Sequence, residues 1–169
     1  MAAKILATCG LFVLLASIDT SVAASRAHVG AAVAPEACAL LTAADASKAI
    51  GATSLAGSRM IASSPRECIW SDDPEHGMNS RRVTLTVMPP VAFQMGKADP
   101  KIKIEPASGI GDEAYYEVFK ADSPFLVVRK GNTVFAVRVL NGGGKLKAFT
   151  LEEEKAKEAD LAKAAVARL

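Results

Sequence analysis

The side chains able to do chemistry in this sequence are few, and they are scattered. There are three cysteines, Cys9, Cys38 and Cys68, and two histidines, His28 and His76. Cys38 and Cys68 lack the Cys-x-x-Cys spacing of a dithiol redox centre. His76 lies in the densest polar run, Asp72–Ser80, with Asp72, Asp73 and Glu75 close by. Calcium loops repeat their oxygen ligands at a regular spacing that this run lacks. Zinc takes further His or Cys ligands, and none is near. No metal is expected. The adjacent acids Asp72-Asp73 and Asp112-Glu113 are the kind of pair that solvated surfaces carry. There is neither a Gly-x-Ser-x-Gly elbow nor a His-Glu-x-x-His helix. Gly109-x-Gly111 lacks the third glycine of a dinucleotide loop, and a strand rather than a helix follows it. Asn141–Lys145 lacks the upstream glycine and the following Ser or Thr of a phosphate loop. The sequence therefore predicts no catalytic residue and no cofactor. Arg81, Arg82, Tyr115 and Tyr116 are the side chains expected to be exposed and to form a binding surface.

Export accounts for the cysteines. Met1–Ala24 reads as a secretory signal peptide: Lys4 begins it, Ile5–Ile18 is apolar, and Val22-Ala23-Ala24 supplies small residues for cleavage after Ala24, or after Ala23. The apolar run is short for a membrane span, which takes roughly 20 residues. An uncleaved anchor is the alternative. Thr8 stands where a lipidation site at Cys9 would want a smaller residue. Cleavage removes Cys9 and leaves Cys38 and Cys68, and two cysteines in an exported chain read as one disulfide. Closing that loop contributes roughly 3–4 kcal/mol in the chain-entropy model. The expected location is periplasmic or secreted, with no stable membrane span once the leader is gone. A net charge of +2 gives no basis for nucleic-acid binding, which needs a strongly basic surface. Residues 25–34 are alanine-rich and read as a flexible linker. Residues 35–169 suffice for a single domain with a modest core.

The elements that would position these groups follow from pattern. Thr42 and Asp45 form a capping box for a helix from Ala43 to Ile50, and Gly51 ends it. Met60–Ala62 and Glu67–Ser71 are short strand candidates. In the second, Cys68 and Trp70 point to one face, so the disulfide ties the first helix to that strand, beside a core tryptophan. Arg81–Met88 alternates Val83, Leu85 and Val87 with threonines and reads as a strand. Val91–Lys97 is a short helix anchored by Phe93. Lys101–Glu105 is an edge strand ended by Pro106. The organising stretch is Gly109–Leu140: a turn, a strand, a loop and a two-residue hairpin at Gly131-Asn132. That hairpin pairs Lys130 with Thr133, Val128 with Phe135 and Leu126 with Val137. Both resulting faces are largely apolar, which predicts a sheet covered on both sides. Arg129 and Arg138 fall at the margin of the second covering or mark a functional surface. Thr150 and Glu153 cap a terminal helix with an apolar seam at Ala159, Ala162, Val166 and Leu169.

The opening Cys38-Ala-Leu-Leu-Thr42, the later Cys68-Ile-Trp70 and the Gly109-Ile-Gly-Asp-Glu-Ala114-Tyr turn resemble small exported bacterial cell-envelope proteins of unknown function. Some of those are similar to the PsbP-like α/β/α sandwich. The resemblance implies an envelope location and carries over no catalytic residue. The expected fold is α+β: a mainly antiparallel sheet of about six or seven strands, helices on both faces, the terminal helix on one and the earlier helices on the other. The function expected is that of a non-catalytic periplasmic protein binding an envelope protein or a small ligand. The alternatives are a hydrolase-like enzyme with a dispersed carboxylate and histidine site, and a purely structural envelope protein.

Overall fold

The computed structural model describes residues 34–54, 57–59, 64–73, 75, 80–119, 124–142 and 148–169. The leader, residues 25–33, both histidines, the Met60–Ala62 strand candidate and residues 143–147 lie outside the described residues. In chain order the elements are α1 (Ala37–Leu40), α2 (Ala43–Ile50), β1 (Glu67–Ser71), β2 (Arg81–Met88), α3 (Pro90–Ala98), β3 (Lys103–Ala107), β4 (Glu113–Val118), β5 (Phe125–Lys130), β6 (Thr133–Asn141) and α4 (Leu151–Val166). The strands form one antiparallel sheet in the order β1-β2-β6-β5-β4-β3. The fold is α+β, as the sequence predicts, and the described residues belong to one compact unit.

The hairpin sets the register. Lys130 pairs with Thr133, Val128 with Phe135 and Leu126 with Val137. Gly131 takes the left-handed conformation at φ 56° that the tight turn requires. The first face of the sheet then carries Cys68, Trp70, Val83, Leu85, Val87, Leu126, Val128, Phe135, Val137 and Val139, all buried. Cys38 and Cys68 form the expected disulfide, with their α-carbons 5.1 Å apart.

Three expectations need correction. The early helices do not lie opposite the terminal one: α1, α2 and α4 all pack into the core on the first face, and among the described residues only α3 covers the second. The disulfide explains this, because Cys68 points to the first face and pulls α1 there. Pro106 does not end the edge strand but lies within it, paired with Tyr115. An edge strand tolerates proline because one row of its amides needs no partner. Finally, the buried seam of α4 is Leu161, Ala162 and Ala165 together with Glu154 and Glu158, while Leu169 is exposed. A glutamate on a buried face defeats a reading based on hydrophobicity alone.

Candidate binding surface on the second sheet face

The two faces of the sheet are covered unequally. On the second face α3 is the covering helix, and it lies over the part of β5 and β6 nearest the hairpin turn, next to β4. Its anchor is Phe93, fully buried and edge-on to Tyr115 with ring centroids 4.9 Å apart. The Tyr115 hydroxyl donates to the Phe93 carbonyl at 2.9 Å. Gly96 lets the helix come this close, since a β-carbon there would collide with the Tyr115 hydroxyl and the Glu117 carboxylate. Lys97 from the helix and Arg129 from β5 both pair with Glu113, the latter at 3.0 Å. Arg129 is thus ion-paired through its terminal nitrogen at the margin of the covering, while its Nε, like that of Arg138, is buried without a partner.

Beyond α3 the second face stays half-exposed at Ile69, Arg82, Thr84, Thr86, Phe125, Arg138 and Leu140. The register arranges several of these in a row across the strands. Ile104 pairs with Glu117, and Glu117 with Phe125. Phe125 and Arg138 lie one step beyond the Leu126–Val137 pair, on this same face. Arg138 pairs with Thr84, and Thr84 with Ile69. A carboxyl, an aromatic ring and a guanidinium therefore follow one another across adjacent strands. Two strand spacings separate Glu117 from Arg138, roughly 10 Å. Phe119 stacks on Phe125, with centroids 5.6 Å apart, which widens the apolar middle of the row.

The two ends of the row differ, with Glu117 bonded to Tyr115 and Arg138 under-satisfied. Glu117 is 7% exposed. Its carboxyl lies 3.5 Å from the Tyr115 hydroxyl, and burial pushes its pKa up. The Nε of Arg138 is buried with no hydrogen-bond partner. Buried polar atoms are normally paired, and one that is not marks a place where a partner can be gained. Glu117 lies under α3 at Gly96, so the open part of the arrangement can bind a group that accepts from Arg138 and lies over Phe125.

The four side chains expected to form a binding surface do not come together. Successive residues on a strand point to opposite faces, so each pair is split. Arg82 lies on the second face. Arg81 lies on the first, donating to Asn141 Oδ1 and to the Ile50 carbonyl, both at 2.9 Å, with its guanidinium over the Phe149 ring. Tyr115 and Tyr116 are buried, not exposed. Tyr115 belongs to the α3 interface. Tyr116 is on the first face, donates to the Lys155 carbonyl at 2.8 Å, and is pushed up to about 12 by burial and by the charge of Glu158. Strands β2 and β4 are three spacings apart, roughly 14 Å. Only Arg82 remains part of the surface described here. Glu117 is the member that sequence reasoning missed. The signal was its place in a run of β4 residues where a polar residue on this face must either reach solvent or be covered.

Among the described residues no cluster of three or more His, Cys, Asp or Glu could hold a metal ion, and no helix is long and apolar enough to cross a membrane. Comparison with protein-family models, curated proteins and solved structures returned no match.

Proposed function

We propose that this is a non-catalytic binding protein of the bacterial cell envelope, and that it meets its partner through the open half of the second sheet face. One observation carries the reading: every apolar side chain of β2 and β6 on the first face is buried, whereas their counterparts beyond α3 on the second face are half-exposed and bracket the unpartnered Nε of Arg138. The disulfide supports an oxidising compartment, where such bonds persist. The leader-like start and the resemblance to exported envelope proteins support the periplasm or the cell exterior.

The test is site-specific photo-crosslinking in living cells. A benzoyl-phenylalanine at Thr86 projects from the open face, and one at Lys163 projects from the exposed side of α4 as the control. The expected result is a discrete adduct from position 86 that is absent from position 163 and is lost when Arg138→Ala is added. Adducts of equal strength from both positions, or none from either, would defeat the assignment of this face.

A further inference from the structure

A second concavity lies on the opposite side of the sheet, in the crevice between α2 and α4. Its volume is about 270 Å³. Ala49 from α2 and Leu161 from α4 give it an apolar floor, and both are buried. Asp45, Lys48, Lys157 and Asp160 line it. Two of these four charges are already engaged. Asp45 completes the α2 capping box and is held by Arg168 at 2.9 Å. Lys157 has its ammonium 4.5 Å from the centre of the Phe149 ring. The other two, Lys48 on one helix and Asp160 on the other, form no ion pair or hydrogen bond with each other or with any other described residue.

The crevice thus offers one unpaired cation and one unpaired anion on facing helices above an apolar floor. We propose that it is a binding site for a small zwitterion of the peptide class, about the size of a dipeptide. The ligand carboxylate would meet Lys48, its ammonium would meet Asp160, and its short aliphatic side chains would rest on Ala49 and Leu161. A ligand with one charge leaves the other helix unanswered. A ligand of dipeptide size suits the volume, which is just below the roughly 300–1,000 Å³ of drug-sized pockets. The helix pair is held in place independently of any ligand, because Arg168 also donates to the Leu40 carbonyl at 3.2 Å and so fastens the end of α4 to α1 and α2. The site is therefore formed in advance. It stands apart from the second sheet face and does not depend on that face having a partner.

Amide chemical-shift titration of the full chain, purified from the periplasm of an expression host, tests the proposal with L-alanyl-L-alanine as probe. N-acetyl-alanine carries the carboxylate alone and alaninamide the ammonium alone. The expected result is a saturable titration with an affinity of about millimolar, with shifts at Lys48, Ala49, Leu161 and Ala164. Each single-charge analogue should bind about tenfold more weakly. Lys48→Gln and Asp160→Asn should each weaken the dipeptide about tenfold while leaving the melting temperature unchanged, since both side chains lie outside the core. Arg138→Ala should leave the titration unaltered. Shifts that never saturate, that fall on other elements, or that persist equally with a single-charge analogue or in either variant would overturn the assignment.

Discussion

The carboxylate of Asp112 accepts the backbone N–H of Gly131 at 2.7 Å and an ion pair from Lys130 at 2.9 Å. A turn nineteen positions upstream in the chain therefore holds the hairpin that sets the register of the sheet. In return the Asp112 amide donates to the Arg129 carbonyl at 2.9 Å. The pair Asp112-Glu113, which reads from sequence as ordinary surface acidity, is thus structural in both members.

The Gly131 amide and then the Lys130 ammonium hold the Asp112 carboxyl below its usual range. A depressed carboxylate contributes stability above its unfolded value of about 3.9, and that contribution is lost as pH falls through the folded value. Asp112→Ala should lower the melting temperature at pH 7 and make the drop between pH 5 and pH 2 shallower. Asp112→Asn keeps an acceptor for Gly131 without the charge, so it should lie between Ala and wild type at neutral pH and merge with wild type in acid. Thermal melts across that range decide it, and identical Ala and Asn curves at every pH would remove the role assigned to the hydrogen bond.

Gly111 is constrained twice. Its φ is 61°, and a β-carbon there would come within 2.6 Å of the Arg129 carbonyl oxygen, a backbone atom that cannot swing aside. The left-handed backbone alone disfavours an L-residue by roughly 1–2 kcal/mol, and the collision adds to it. Gly111→Ala should therefore destabilise the domain by about 2–4 kcal/mol, within the range for core overpacking combined with backbone strain. Gly109 also has positive φ but has open space around it, so Gly109→Ala should lose only the backbone part. Urea titrations of the two variants should rank them in that order.

The Cys38–Cys68 disulfide closes a loop with a sequence separation of 30. Loop closure at that length contributes roughly 3–4 kcal/mol through the unfolded chain. It also fixes α1 over β1 beside Trp70, which is 1% exposed. Gly57 packs so tightly there that a β-carbon would meet both the indole and the Cys68 sulfur. A Cys38→Ser, Cys68→Ser double variant should lose stability of about that size. Its tryptophan fluorescence should redshift at lower denaturant than the wild type. Unfolding curves that coincide with those of the oxidised protein would mean that helix packing alone secures this corner.

Much of this architecture was legible because local chemistry and tertiary need coincide. The Thr42–Asp45 and Thr150–Glu153 capping boxes are both formed. Gly51 ends α2 in the left-handed conformation, and β2 alternates as its Val and Thr residues require. What sequence could not supply was the partner of each face. Tyr115 and Tyr116 look like surface residues in a polar run, but β4 lies between two strands with α3 on one side and α4 on the other, so both rings are buried. The half-open second face was hinted at only by Arg129 and Arg138, whose different fates depend on how far α3 reaches. The row from Glu117 through Phe125 to Arg138 joins three strands, and no spacing within one strand encodes it.

Glu158 is the position where the sequence misleads most, and its chemistry makes the sharpest prediction. It is fully buried on the sheet side of α4. Pairing between β5 and β6 ends at Leu126–Val137, so the Val139 amide, which points the same way as those of Phe135 and Val137, has no described strand residue paired with it. Glu158 Oε1 accepts that amide at 3.0 Å, completing the ladder from a helix, while Oε2 is buried without a partner. Burial raises the Glu158 pKa to about 9, against the lowering effect of the Val139 amide and with help from Glu154. The carboxyl is therefore protonated in the folded protein at neutral pH and ionised in the unfolded chain above about 4.3. Between those values the folded state binds one more proton, so this group makes stability fall as pH rises, by up to about 1.4 kcal/mol per pH unit, until the loss levels off near pH 9. Glu158→Gln keeps a carbonyl for the Val139 amide and cannot ionise. It should match wild type near pH 4, exceed it increasingly towards pH 9, and stay parallel to it above that. Denaturant unfolding at one-unit steps from pH 4 to pH 10 reads this directly. A constant difference across the range would show that Glu158 is ionised in the folded protein, with a charge that some group satisfies.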